Sequence, residues 1–171
     1  NFVIISVDFS LSADWKNFNM PDYASIKDML PFNPTRLEIA DTVLNVRRSK
    51  LPDLKMFPNV GSFFVNPVIN DTIAKRLRRK FANIPIMTFN GAFKLSAAWL
   101  IESCGFRGVK FKNVGMHLKH ALVLVNYGDS SSEEILIFAE RVKASVKEKF
   151  GVALKIEPAI LSSSERSKYF G

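Results

Sequence analysis

The chain has 171 residues, an apolar fraction of 47% and a formal net charge of +8. This length suits one domain with a full hydrophobic core and part of a second, and the apolar fraction excludes a disordered chain. No apolar run approaches the roughly 18–20 residues that a bilayer-spanning helix needs, and the first residues lack the basic start of a signal peptide. We therefore expect no membrane partner.

The cysteine and histidine content limits the chemistry that the chain offers. Cys104 is the single cysteine and excludes an internal disulfide, and its small, apolar neighbours indicate a buried thiol rather than a nucleophile. Two histidines and one cysteine form no metal cluster without several carboxylates, so we expect no metal. The absence of disulfides indicates a reducing compartment, and we expect a cytoplasmic location.

The positive charge favours polyanionic partners, which include nucleic acids, phosphorylated cofactors and nucleotide-sugars. The densest basic run is KRLRRK at residues 75–80. On a helix these charges would spread around most of the circumference, which is more typical of a solvated face than of a nucleic-acid groove. We expect no nucleic-acid partner.

The first third of the chain contains one predicted strand and one predicted helix. Alternation over residues 2–11 predicts a strand, and because the chain opens inside it, we interpret Asn1 as an internal cut or a mature end. Residues 33–50 predict a helix with Asn33 as its N-cap and Pro34 in its first turn. Residues 51–61, with two prolines and a glycine, form the best internal boundary.

The remainder predicts short strands between individually capped helices. The predicted helices run from Asn70 or Asp71 to about Phe81, over residues 94–105, and from a capping box of Ser130 or Ser131 with Glu133 or Glu134 to Gly151. The predicted strands include residues 85–89, 107–113, 121–128 and 152–161. The irregular alternation favours an α+β fold with a mostly antiparallel sheet and several packed helices.

Two polar residues stand out by their local setting. Ser62 in NVGSFFVNP follows a glycine, but Phe64 replaces the second glycine of a nucleophile elbow, which argues against a hydrolase. Glu157 precedes Pro158, which forces an extended conformation. Its carboxylate is either partly buried and functional or an edge-strand group facing water, and the local sequence leaves both open. The chain contains no dinucleotide or P-loop fingerprint.

Several segments together resemble the UDP-N-acetylenolpyruvoylglucosamine reductase (UDP-N-acetylmuramate dehydrogenase, MurB) family. They keep the family's order and spacing: RRSKLPD at 47–53, GSFFVNPV at 61–68, KLSAAWLIESCGFRG at 94–108, HLKHALVLVNYG at 117–128 and VKEKFGVAL at 146–154. The resemblance implies a flavoenzyme of bacterial cell-wall synthesis. In that family NADPH reduces bound FAD, and the flavin passes a hydride to the enolpyruvyl ether of a UDP-sugar, UDP-N-acetylglucosamine enolpyruvate.

The resemblance also implies roles for individual residues. Ser62 would be the catalytic proton donor, and Glu157 would lie beside the developing charge. The implied substrate contacts are Tyr23, Lys50, Asn66, Arg107 and His120. His120 stands where the family often has glutamine, and Val65 where it usually has lysine. We expect the two phenylalanines after Ser62 to wall the pocket.

The same resemblance implies a domain organisation and an incomplete site. Residues 1–50 would end the FAD-binding domain, residues 51–158 would form the substrate-binding domain, and residues 159–171 would be a return strand and tail. The FAD-binding region and an arginine that supports the enolate would lie before this chain. We therefore expect a monomeric C-terminal portion that lacks FAD and is inactive alone. The alternative is a non-catalytic basic α+β module that binds RNA or another polyanion.

Overall fold

The structure, a computed structural model, describes residues 4–11, 26 and 28–161. The chain divides into two compact units, one of residues 1–46 with 160–171 and one of residues 47–159. The helices and strands of the described residues, in chain order, are α1 Arg36–Lys50, β1 Asn59–Ser62, β2 Phe64–Val65, β3 Val68–Ile69, α2 Asp71–Lys80, β4 Ile86–Phe89, β5 Ala92–Leu95, α3 Ala97–Ser103, β6 Lys110–Phe111, β7 Val114–Met116, β8 Val123–Asn126, α4 Ser132–Phe150 and β9 Lys155–Ile156.

Two predictions for residues of the first unit, one of a strand and one of a helix cap, are wrong. Residues 4–11 form no strand, and their apolar side chains are exposed, Ile5 by 93%. Alternation alone does not make a strand, because the backbone also needs a partner, and no strand among the described residues pairs with this segment. Helix α1 is capped by Thr35 rather than Asn33: the Glu38 carboxylate accepts the Thr35 N–H, and the Thr35 hydroxyl accepts the Glu38 N–H.

The strands of the second unit form three antiparallel sheets. One has the order β1-β8-β7-β6, another pairs β2 with β9, and the third has the order β3-β5-β4. The turn between β4 and β5 is made by Asn90 and Gly91, both with positive φ, as a tight hairpin requires. The predicted α+β fold with antiparallel strands is confirmed. The predicted return strand does not appear over the described residues 159–161, and residues 162–171 lie outside the described part.

The core of this unit lies between α4 and the inner face of the four-stranded sheet. Helix α4 begins at the predicted capping box, formed by Ser131 and Glu134, and ends at Gly151 with φ +67°. Its apolar stripe, with Phe138 and Val142 at its centre, is almost fully buried. Burial of each such side chain contributes about 1.5–3 kcal/mol. This core fixes the strands whose ends carry the candidate site.

Phe57 and Pro58, directly before β1, contact residues at the ends of β7 and β8. The ring of Phe57 contacts the rings of His117 and Tyr127 edge-on, with centroids 5.7 and 5.8 Å apart. The carbonyl of Pro58 accepts the N–H of Asn126 at 3.0 Å. The end of the predicted boundary segment therefore packs against these strand ends, and Leu51, Pro52 and Leu54 of the segment line the cavity described below.

Candidate functional site

Ser62 is presented by an irregularity in β1. The pairing of β1 with β8 shifts register between Asn59 and Ser62, and Gly61 between them has φ +79°. The Asn59 side chain holds this bulge: its Oδ1 accepts the Gly61 N–H at 2.9 Å, and its Nδ2 donates to the Phe57 carbonyl at 2.7 Å. Bulges of this kind re-aim a side chain at the end of a strand. The Ser62 side chain is exposed as a result.

Ser62 and His120 line the same cavity, which has a volume of about 350 Å³. Arg47, Gly61 and Val123 also line it. Its volume lies in the lower part of the range of roughly 300–1,000 Å³ that is usual for small-molecule sites. The cavity thus brings together a hydroxyl, an imidazole and a guanidinium.

His120 is half-buried and has a defined hydrogen-bonding role. Its Nδ1 accepts the N–H of Leu122 at 3.4 Å, and its carbonyl accepts the N–H of Val123 at 3.0 Å. A neutral imidazole that accepts through Nδ1 carries its proton on Nε2. His120, which lines the cavity, therefore carries an N–H donor on Nε2, and a glutamine amide also carries a donor.

Glu157 lies opposite Phe63, the residue after Ser62, at the end of the pairing between β2 and β9. Its N–H donates to the carbonyl of Phe63 at 3.0 Å, directly beyond the pair formed by Phe64 and Ile156. The Glu157 side chain is exposed rather than partly buried. The structure therefore brings the two predicted catalytic residues into neighbouring positions at the ends of two different sheets.

The prediction that Phe63 and Phe64 wall the pocket is wrong. Both side chains are buried in the core, 6% and 0% exposed, and their rings contact each other edge-on at 5.3 Å. They point inward in succession because the chain leaves one sheet after Ser62 and enters the β2–β9 pair at Phe64. The cavity beside Ser62 is walled by aliphatic residues instead, among them Leu51, Leu54 and Val60.

Lys50 and Asn66 are close in sequence to residues that line the Ser62 cavity. Lys50 is the last residue of α1 and precedes Leu51 of the cavity wall. The Asn66 Oδ1 accepts the N–H of Ala97, the first residue of α3, at 2.8 Å. This bond leaves the amide Nδ2 of Asn66 as a donor for another group.

Arg107 does not line the Ser62 cavity. The Arg107 guanidinium donates to the Leu118 carbonyl at 2.7 Å and forms an ion pair with Glu102 at 2.6 Å. These bonds hold it beside the loop after α3. Tyr23 lies outside the described residues.

Sequence reasoning missed two residues that line the Ser62 cavity, Arg47 and Asn59. Arg47 lies on the cavity wall, and Asn59 lines the cavity as well as holding the Gly61 bulge. The signal for Arg47 was its place in RRSKLPD, three residues before Lys50. Asn59 two residues before a glycine is typical of a side chain that closes a turn on its own backbone.

Neither the cysteine thiol nor the possible metal ligands of the described residues form a further candidate site. Burial raises the pKa of the Cys104 thiol, and the nearby Lys149 lowers it by less, so the thiol stays protonated at neutral pH. Within the described ranges, no cluster of histidine, cysteine and carboxylate side chains could hold a metal ion. Of the helices that the structure describes, none is long and apolar enough to cross a membrane.

Comparison with known proteins gives one consistent family. Residues 52–161 match the model of the UDP-N-acetylenolpyruvoylglucosamine reductase C-terminal domain, which is more than half of the chain. A protein of Xanthomonas oryzae pv. oryzae (strain PXO99A) named UDP-N-acetylenolpyruvoylglucosamine reductase is 40% identical over 159 residues, which are 85% of this chain and 45% of the relative. A Xylella fastidiosa (strain M12) protein of the same name is 39% identical over 168 residues, 95% of this chain and 47% of the relative.

The chain spans about half the length of these curated relatives. The match includes Ser62, His120 and Glu157, which lie within the residues that the family model covers. The chain therefore belongs to the UDP-N-acetylenolpyruvoylglucosamine reductase family and carries its C-terminal domain.

Proposed function

We propose that this chain forms the substrate side of a reductase that converts UDP-N-acetylglucosamine enolpyruvate to UDP-N-acetylmuramate with NADPH and FAD. The reaction belongs to cytoplasmic peptidoglycan synthesis. The observation that carries the proposal is the setting of Ser62 in a chain of this family. Ser62 and His120 line the same cavity, and Glu157 lies opposite Phe63, the residue after Ser62, in the strand pairing. The named relatives support the reaction class.

Ser62 is the proton donor in this proposal. Reduction of an enolpyruvyl ether adds a hydride to the vinyl carbon and a proton to the neighbouring carbon. A free serine hydroxyl is a weak acid, so it donates a proton only where its surroundings stabilise the alkoxide. Arg47 and the Nε2–H of His120 lie on the wall of the same cavity and supply a charge and a donor for that purpose.

Glu157 assists proton delivery or orients the substrate. Its exposed carboxylate stands next to the strand end that carries Ser62. Substrate binding is shared by Lys50, Asn66, His120 and Tyr23. Arg107 would have to release Glu102 to bind a phosphate, so we expect its substitution to have a smaller effect than that of Lys50.

The Ser62 cavity does not fit the whole dinucleotide cofactor. The Ser62 cavity of about 350 Å³ suits a sugar-sized group, and a whole FAD exceeds it. Its walls carry one guanidinium but no glycine-rich turn leading into a helix, which is the usual cradle for a pyrophosphate. The flavin supplies hydride chemistry when bound, and the residues proposed here act only on the substrate.

The alternative of a basic RNA-binding module is less well supported, because several cations of α2 have partners within the chain. Lys75 pairs with Asp71 at 2.6 Å, and Arg76 donates to the carbonyl of Phe150. Arg78 lies over the ring of Phe93 at 5.3 Å. These contacts fit a structural, solvated face.

The proposal is tested with the flavin-loaded reductase that contains this chain. It is supplied with NADPH and UDP-N-acetylglucosamine enolpyruvate, and the products are analysed by mass spectrometry. We expect NADPH consumption that depends on the UDP-sugar and a product two hydrogens heavier. NADPH consumption that does not depend on the UDP-sugar would contradict the proposal. Tight binding of an RNA oligonucleotide that falls steeply with salt would instead support the alternative.

A further inference from the structure

The Ser62 side chain is exposed, so the position of its hydroxyl depends on the backbone that carries it. After Ser62 this backbone is tied to two other segments by main-chain hydrogen bonds. The Phe63 N–H donates to the Leu122 carbonyl at 2.9 Å, and the Phe63 carbonyl accepts the Glu157 N–H at 3.0 Å. The backbone on this side of Ser62 is therefore fixed by strand pairing.

The backbone before Ser62 is held by a side chain. The register of β1 against β8 shifts between Asn59 and Ser62, so two residues of β1 lie opposite one of β8. A bulge disrupts the hydrogen-bond ladder at this point. The Gly61 N–H, directly before Ser62, donates to the Asn59 Oδ1 at 2.9 Å.

The Asn59 amide links both ends of the segment that leads to Ser62. Its Oδ1 accepts from Gly61, and its Nδ2 donates to the Phe57 carbonyl at 2.7 Å. Phe57 is anchored in turn, because its ring contacts the rings of His117 and Tyr127 edge-on. A primary amide has both an acceptor and a donor, so one asparagine makes both bonds.

Packing does not hold the bulge in place of these bonds. A Cβ added at Gly61 would meet no other atom within 4 Å, so the space around this residue is open. Gly61 has φ +79°, and glycine moves between positive and negative φ at little cost. The Asn59 amide is therefore what selects the conformation that precedes Ser62.

We propose that Asn59 is a positioning residue for proton donation by Ser62, since its amide fixes the bulge that directs the hydroxyl into the cavity shared with His120. This inference rests on the proposed function, in which Ser62 is the proton donor, and adds the residue that orients it. A displacement of about 1 Å at a reacting group lowers the rate by roughly 10²-fold. Loss of the Asn59 amide should therefore slow the step that uses Ser62.

Amide hydrogen exchange in the full 171-residue chain tests the Asn59 bonds without any activity measurement. We expect the Gly61 N–H to exchange at least about tenfold faster in Asn59→Leu than in the parent. Asn59→Ser should restore part of the protection, because a serine hydroxyl accepts the N–H two residues on more weakly. The Phe63 N–H, bonded to Leu122, is the internal control and should keep its parent rate.

A double-mutant cycle in the flavin-loaded reductase that contains this chain tests whether Asn59 acts through Ser62. We expect Asn59→Leu to slow flavin reoxidation at saturating UDP-sugar by at least about tenfold. Reduction by NADPH should keep the parent rate, and the half-saturating UDP-sugar concentration should change less than about threefold. In the Ser62→Ala background, Asn59→Leu should change reoxidation less than about twofold, because the group that it positions is gone.

Asn70→Leu is the control for a general loss of stability. The Asn70 Oδ1 accepts the Ile73 N–H at 3.0 Å at the start of α2, so this variant also removes an asparagine that caps a backbone N–H. We expect a lower urea midpoint for Asn70→Leu but reoxidation at the parent rate. Asn59→Ser should reoxidise faster than Asn59→Leu, in line with its partial protection of the Gly61 N–H.

The outcomes separate this inference from the proposed function. If Ser62→Ala is slow but Asn59→Leu reoxidises at the parent rate, or slows Ser62→Ala further by the same factor, the positioning role is overturned and Ser62 remains the donor. Equal Gly61 exchange in the parent and Asn59→Leu, or a loss of UDP-sugar affinity at an unchanged limiting rate, also overturns it. So does an equal slowing in Asn70→Leu. Reoxidation of Ser62→Ala at the parent rate overturns the proposed function, and the inference with it.

Discussion

The N–H of Glu157 donates a hydrogen bond of 3.0 Å to the carbonyl of Phe63, and this bond places Glu157 beside Ser62. Phe63 also donates its own N–H to the carbonyl of Leu122 at 2.9 Å. Through these two backbone hydrogen bonds, Phe63 links the three segments that carry Glu157, Ser62 and His120. A site built on such backbone bonds holds its side chains in fixed relation, because moving one of them would break a strand pairing.

Glu157→Gln removes the carboxylate charge and keeps the size of the side chain. In the flavin-loaded reductase that contains this chain, we expect oxidation of the reduced flavin by the UDP-sugar to slow by roughly 10²-fold, because proton delivery is impaired. Stopped-flow absorbance measures the rate. Glu148→Gln, exposed on α4, is the matched control and should retain the parent rate. A parent-like rate in Glu157→Gln would remove Glu157 from proton delivery.

Asn66→Asp separates the structural role of Asn66 from its proposed role in binding. The aspartate keeps an oxygen that can accept the N–H of Ala97 but loses the amide donor and adds a negative charge. We expect the urea midpoint to stay close to that of the parent chain while affinity for the UDP-sugar falls by at least about tenfold.

The Asn66→Ala variant is the comparison for this prediction. This variant loses both the acceptor for the Ala97 N–H and the amide donor. We expect it to lower the free energy of unfolding by about 1 kcal/mol and also to weaken binding of the UDP-sugar. If Asn66→Asp binds the UDP-sugar as tightly as the parent, Asn66 serves only to start α3.

Gly61→Ala tests the bulge that presents Ser62. Gly61 has φ +79°, where an added Cβ costs roughly 1–2 kcal/mol although no neighbouring atom would block it. We expect a lower urea midpoint for Gly61→Ala and a smaller loss for Gly61→Asn, since asparagine tolerates this conformation better. Equal midpoints for the parent and Gly61→Ala would show that the bulge is not held in this conformation in solution.

His117 gives a pH dependence whose sign follows from its pKa. Burial, Lys119 and His120 lower the pKa of His117 below its ordinary value of 6.5. The unfolded chain therefore binds a proton at higher pH than the folded chain, and stability from the neutral ring falls as the pH drops below 6.5 until the folded-state pKa is reached. An NMR titration should give a His117 pKa below 6.5, and Lys119→Gln should raise it. A His117 pKa at or above 6.5 would contradict the burial of the neutral ring.

Local features of the fold could be predicted because their causes are local. The capping box of Ser131 with Glu134 at the start of α4, and Gly151 at its end, each depend on a few neighbouring residues. The pairing of β2 with β9 could not be predicted in this way, since it joins distant parts of the chain. The inward turn of both Phe63 and Phe64 depends on that pairing, which is why their placement was predicted wrongly.

The candidate site was predicted from the resemblance more than from local patterns. The roles of Ser62, Glu157 and His120 came from the resemblance. In the structure Ser62 and His120 line one cavity, and the Glu157 N–H donates to the carbonyl of Phe63, the residue after Ser62. Arg47 was missed because an arginine near the end of a predicted helix is common on surfaces. That Arg47 lines the cavity can be recognised only from the three-dimensional structure.

The most direct test of the central claim is the oxidation half-reaction of Ser62→Ala in the flavin-loaded reductase that contains this chain. The flavin is first reduced with NADPH, UDP-N-acetylglucosamine enolpyruvate is then added, and the flavin absorbance is followed. We expect reduction by NADPH at the parent rate and reoxidation slowed by about 10²–10⁴-fold, with Ser145→Ala behaving as the parent. Reoxidation of Ser62→Ala at the parent rate would contradict the assignment of Ser62 as the proton donor.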